Sequence, residues 1–295
     1  MRTRLILLTA LLILASSAIA ATVKPDGKLH NECISNLYAA LNKGNDWERV
    51  HAAEALIMAG ETRLVLARFE PQADKAAPKY RIGVWRVLFQ AHKNDPAGQA
   101  KYMKRIVAAF NNLNGPDRLH AVETLGKLGY SKETKYILQA ANDTSSPLRV
   151  NSLWVLANTG KAKYIQSLTA CLDSPETTVR SDAAYALRFL PKINAATLDS
   201  LKSASERENI STGAGVYIAS ALCVQASRVG KGAGPKTEIM KYASGNNDEK
   251  YELCACLALI GNRTDLPLLQ KMLRDKSLDV RTGAANAILC ITSRK

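Results

Sequence analysis

The segments Val179-Arg-Ser-Asp-Ala-Ala-Tyr-Ala-Leu187 and Val280-Arg-Thr-Gly-Ala-Ala-Asn-Ala-Ile288 decide the fold. Each sets a basic residue seven positions ahead of an apolar anchor, with alanines between them on one helical face. The same arrangement recurs as Arg49/Leu56, Arg81/Leu88, Arg118/Leu125, Arg149/Leu156 and Lys250/Leu257. Leu222 marks one further unit, in which Gly215 stands where the basic residue belongs. Successive anchors lie 32, 37, 31, 31, 35, 35 and 31 residues apart. A period in the thirties with two helical patterns per unit specifies stacked helical hairpins. The expected fold is therefore all-α, a right-handed α-solenoid of about eight repeats forming one elongated domain.

Within a unit, a turn opens onto a small-residue helix, and a second amphipathic helix follows. Asp173-Ser-Pro and Asp275-Lys-Ser supply caps and first-turn geometry. Alanines such as Ala52, Ala53 and Ala55 let helix axes approach closely while the anchor fills the gap between layers. Gly60, Gly129, Gly160 and Gly261 lie four residues past their anchors, where a helix end favours a left-handed residue. Second helices are expected over Lys132–Asn142, Lys163–Leu172, Ala195–Ser203 and Leu266–Leu273. Glycines accumulate from Ser203 to Gly245, which predicts a loop or hinge between the helices of the sixth unit. The last unit ends before a second helix can form.

The first twenty residues read as a secretory leader. Arg2 and Arg4 precede the apolar run Leu5–Leu14, and Ala18-Ile-Ala20 offers a cleavage site after Ala20. The run is too short for a membrane span. A lead-in over 21–29 and a solenoid over 30–295 complete the expected organisation, with a periplasmic or secreted product. The net charge of +14 favours anionic partners, but the basic residues are dispersed and nucleic acid is an unsuitable partner outside the cytoplasm.

The phrases Val179–Leu187, Val280–Ile288 and Arg49-Val-His-Ala-Ala-Glu-Ala-Leu56 resemble the HEAT-like repeats of the phycobilisome-lyase type. The resemblance spans about residues 30–295 and implies an armadillo/HEAT-like superhelix. It is specific for fold and nonspecific for activity, because such repeats serve scaffolds, inhibitors, lyase subunits and hydroxylases alike. In such repeats the arginine pairs with an aspartate of the preceding turn. That implies a structural ladder of Arg49, Arg81, Arg118, Arg149, Arg180 and Arg281, with Asp74, Asp143, Asp173 and Asp275 as partners. HEAT-like deoxyhypusine hydroxylases hold two irons with adjacent His-Glu dipeptides. Here His30 precedes Asn31, His51 and His120 precede alanine, and His92 precedes Lys93, so that metal chemistry is not expected.

The remaining chemistry is sparse. His51/Glu54 and His120/Glu123 share helical faces but sit in the first and third units, so no metal is expected. Gly230-Lys-Gly-Ala-Gly234 lacks the spacing of a phosphate-binding loop, and Cys254-Ala-Cys256 has no second close pair to hold zinc. Register could bring Cys223 to Cys254 and Cys256 to Cys290 as disulfides, or all six cysteines could be buried thiols. No nucleophile–base set stands out, no cofactor is implied, and catalysis is the less favoured reading.

Two and five residues before each anchor are positions turned away from the alanine seam. Trp154, Tyr185 and Tyr217 occupy these columns in consecutive units, with Asn151, Asp182 and Arg86 beside them. Aromatic platforms next to amide and carboxylate groups suit sugars or peptides. The expectation is an exported, monomeric, non-catalytic scaffold binding a protein or polysaccharide along its helical face. The alternative is an accessory or lyase-like subunit acting on a small cofactor or modified protein.

Overall fold

The computed structural model describes residues 27–208, 212–230 and 233–294. The leader over 1–20, its cleavage site and most of the lead-in lie outside the described residues. Sixteen α-helices and no strands occur among those described. Every anchor sits on one of eight inner helices: α2 (Asp46–Met58), α4 (Tyr80–Ala91), α6 (Arg118–Lys127), α8 (Arg149–Ala157), α10 (Thr177–Phe189), α12 (Gly215–Arg228), α14 (Asn247–Ile260) and α16 (Leu278–Ser293). The outer layer consists of α1 (Gly27–Lys43), α3 (Thr62–Phe69), α5 (Pro96–Asn111), α7 (Lys135–Asn142), α9 (Ala162–Ala170), α11 (Ala195–Arg207), α13 (Ala233–Met240) and α15 (Leu266–Met272).

Local signals fix where these helices start and stop. Asn45 and Glu48 form a reciprocal capping box at α2, as Asn246 and Glu249 do at α14. Gly60, Gly129 and Gly160 take φ of 96°, 69° and 77°, the left-handed ends expected from sequence. Gly261 differs: its φ is −61° and its chain leaves extended, with Arg294 Nη1 donating to its carbonyl at 2.8 Å. The glycine-rich stretch expected to be a loop holds two helices, α12 and α13, on either side of short turns. Lys231 and Gly232 lie outside the described residues.

Each inner helix packs on the next, and α16 packs back on α2. The solenoid is a closed ring, not an elongated ridge. The closing element is α1, which packs on both α16 and α2. Leu29, Cys33, Leu37, Ala40 and Leu41 form its buried stripe, and they join one apolar core with Ile288 and Ile291 of α16 and with Val50 and Leu56 of α2. Polar contacts cross the same seam: Arg274 Nε lies 3.5 Å from Glu32, and His51 Nδ1 lies 3.2 Å from Asp279. The region expected to be a loose lead-in is thus, from Gly27 onward, part of the wall.

The arginine ladder forms with other partners than expected. Arg81 pairs with Asp117 of the next unit, Arg180 with Glu208, and Lys250 with Asp275 at 3.0 Å. Asp74 and Asp173 instead receive Arg105 and Arg207 from the outer helices. Asp143 accepts from its own Ser145, while Arg149 reaches the Cys171 sulfur. Arg118 donates to the Phe110 carbonyl, and Arg281 to the carbonyls of Asp275 and Lys276. Arg49 lies 3.8 Å from Asp46 on an exposed surface. A guanidinium at a helix start faces the carbonyl-rich turn behind it and the loop of the following unit, and both supply acceptors before the expected aspartate does.

All six cysteines are free thiols. The neighbours across α12 and α14 are Cys223 and Cys256, with the Cys256 thiol directed at the Ser220 carbonyl at 3.9 Å, whereas Cys254 turns toward the Met272 sulfur at 3.5 Å. Cys290 contacts Asn286 of its own helix.

Ring closure carries a direct test. Leu37→Ala should cost about 2–5 kcal/mol in urea denaturation, as for a buried leucine. A residue in a lead-in outside the fold would cost less than about 0.5 kcal/mol.

Candidate functional site

Closure turns the two predicted columns toward the centre of the ring, and a third column, two residues past each anchor, joins them. Positions −5, −2 and +2 lie three and four residues apart, so they share one helical face. Contacts confirm the direction. Gln90, at +2, donates to Glu54 at 2.9 Å, and Lys127, at +2, lies 5.2 Å above the Tyr185 ring centre.

The interior is held by ion pairs, two between units and one, Lys127 with Glu123, within α6. Arg86 grips Glu54 with two nitrogens, at 2.7 and 3.1 Å. Lys127 meets Glu123 at 2.7 Å, and Arg188 meets Glu252 and the Ser220 hydroxyl. Burial opposes ionisation of Glu54, but Arg86 overcomes it and holds the carboxyl below its usual value. Burial likewise opposes ionisation of Glu123, and Lys127 and His120 outweigh it. A charge buried beside a hydrogen-bonded partner costs far less than one buried alone, so these pairs make a polar interior tolerable.

Trp154 is 0% exposed and is not available to a partner. Its ring lies against Gly126, where an added Cβ would come within 2.5 Å of the indole. Tyr185 meets Trp154 edge-on at 5.8 Å and Tyr217 at 6.0 Å, so the predicted stripe does form, as an interior stack. Asn151 and Arg86 are buried, and Tyr185 and Tyr217 are half-buried. Sequence reading missed Lys127, Arg188 and Phe189, all just past their anchors. The signal for them was the continuation of the −5, −2 face by one more turn.

The two mouths of the ring differ. At the end where inner helices begin, His51 stacks on Tyr251 at 5.0 Å and Trp47 approaches His120 at 5.1 Å. Asp182 stands at this mouth and makes no ion pair among the described residues. At the opposite mouth, Met58, Phe189 and Leu259 all occupy the +2 column and are 68%, 38% and 49% exposed. Phe189 also packs on Trp154 and Tyr185, at 5.2 and 5.1 Å, so the interior aromatic stack opens to solvent through it.

Asp182 is solvent-exposed at the mouth, but partial desolvation by the ring wall, with the Glu123 charge, pushes its carboxyl up to about 6 from the ordinary 3.8. The folded state then binds more protons than the unfolded chain between about pH 4 and 6, so stability falls as pH rises through that window. Asp182→Asn should melt with the wild type near about pH 3.5 and above it at about pH 7.5. Equal melting at both pH values would show that the carboxylate is not held unfavourably.

Residues 103–188, covering α5 through α10, match the family described as HEAT repeats. No curated protein matches the chain. The matched stretch contains the Arg118, Arg149 and Arg180 units, whose helical hairpins continue around the whole ring. That stretch is similar to HEAT repeats.

Proposed function

We propose that this chain is an exported, non-catalytic HEAT-repeat scaffold that binds a protein partner at the mouth lined by Met58, Phe189 and Leu259. The carrying observation is that these three large apolar side chains occupy the same register in three units and remain exposed, over an interior held by the Arg86–Glu54, Lys127–Glu123 and Arg188–Glu252 pairs. An apolar patch rimmed by polar groups marks an interaction surface. Gln90 and Lys127, in the same column, supply the polar rim, and Phe189 is backed by Tyr185 and Trp154 as a rigid anchor. HEAT repeats are commonly protein-interaction scaffolds, which supports the class of partner.

A closed ring offers no long concave groove, so an extended polysaccharide has no run along the interior columns. A protein loop or helix end reaching one mouth fits better. The leader-like sequence of the first twenty residues supports export, and the phrasing of Val179–Leu187 supports a phycobilisome-lyase-type repeat. The engaged acids of the interior favour a structural role over acid–base chemistry.

The test is cross-linked capture from envelope extract, comparing wild type with Met58→Ser/Phe189→Ser/Leu259→Ser. The variant should keep its circular dichroism spectrum, with a modest fall in melting point from the ring contacts that Phe189 gives up. A partner captured by wild type should be reduced roughly tenfold or more by the variant. Equal capture by both proteins would remove this mouth as the docking surface.

A further inference from the structure

The sixth unit lacks the basic side chain that the other seven inner helices carry, and a cavity opens there. In the fourth unit, the outward face of α8 presents Arg149, Leu153 and Leu156 to a cavity of about 320 Å³. In the sixth, the same register positions on α12 are Gly215, Ala219 and Leu222, and the cavity between α11 and α13 measures about 800 Å³. The basic side chain and one leucine that occupy this space in the fourth unit are absent in the sixth. That volume falls within the range of ligand-binding clefts.

The lining has a consistent chemistry. Leu198, Ala219, Leu222 and Ala226 give an apolar floor. Of the four carboxylates around it, Glu208 is held by Arg180, Glu238 by Lys241 and Glu206 lies 3.9 Å from Lys202, which leaves Asp199 as one net negative charge on a chain whose net charge is +14. Burial, together with Glu249, Glu208 and Glu238, pushes the Tyr242 hydroxyl at its edge up to about 12. In three other units, a cation at the register of Gly215 is seated against a carboxylate: Arg81 on Asp117, Arg180 on Glu208, Lys250 on Asp275.

We propose that the groove over Gly215, Ala219 and Leu222 binds a partner peptide segment carrying an arginine or lysine among apolar residues, whose cation takes the place of the missing basic side chain. The apolar floor receives the neighbouring residues, and the net negative charge of the rim sets the sign of the ligand. This surface lies on the outer layer, away from the mouth at Phe189, so the two sites stand or fall separately.

The experiment is fluorescence polarisation of the full chain with labelled acetyl-Leu-Arg-Leu-Leu-amide and with the same peptide carrying glutamate in place of arginine. The arginine peptide should bind at least about tenfold tighter, a preference that added salt diminishes. Gly215→Arg restores the repeat's own side chain and should weaken that peptide about tenfold or more with no loss of melting temperature. Ala219→Leu, the residue of the fourth unit, should do the same and keeps the test open if Gly215→Arg fails to fold. The Met58/Phe189/Leu259 variant should bind as wild type. Equal affinity for the two peptides, or undiminished binding by folded variants, would overturn the proposal. Stronger competition by a peptide of residues 1–20, or self-association abolished by Gly215→Arg, would overturn it in favour of the chain's own leader or a second copy.

Discussion

The packing of α1 between α16 and α2 is the constraint on which the rest of the molecule depends. A repeat stack buries each unit against its neighbours and leaves an apolar face at both ends. Here one helix from the N-terminal end covers the face left by the C-terminal end, and the two terminal units share a core. The ring has no end unit to protect, and its inner helices all become neighbours of a common centre.

That centre dictates the chemistry of the interior. Eight helices turned inward bring charged columns together that an open stack would leave in solvent. Arg86 with Glu54, Lys127 with Glu123 and Arg188 with Glu252 are the physical response. Removing one member of such a pair leaves an uncompensated charge, so the interior tolerates little variation around these six residues. Small residues do complementary work: Gly126 admits the Trp154 indole, and Gly83 stands where a Cβ would strike Val50 at 2.8 Å. Between units, carbonyls at helix ends are taken up by the next unit, as Asn158 does for Gly126 and Tyr130, and Gln225 for Leu187 and Leu190. Function is left to the surfaces where this order is interrupted, namely the apolar mouth and the place where Gly215 replaces a basic residue.

Much of the architecture was readable from short-range pattern. The anchors, the alanine seam, the capping residues and the positive-φ glycines all act within a few residues of themselves, so helix type and the residues that share each helix face follow from sequence. The replacement of a basic residue by Gly215 was visible too, although its meaning as an opened groove required the flanking helices α11 and α13.

Three matters were decided only by tertiary structure. Whether the stack stays open or closes depends on small rotations between units summed over eight of them, and no local motif encodes that sum. Closure turned an expected exposed aromatic stripe into an interior stack, with Trp154 buried and Tyr185 half-buried, and recruited the N-terminal lead-in as wall. The partners of Arg81, Arg180 and Lys250 likewise come from loops of following units, whose approach is set by packing distance and not by spacing along the chain. The sequence by itself determined a repeat of helical hairpins and the faces of each helix. The tertiary structure decided which of those faces meet solvent, because exposure is a property of the closed ring and not of any one unit.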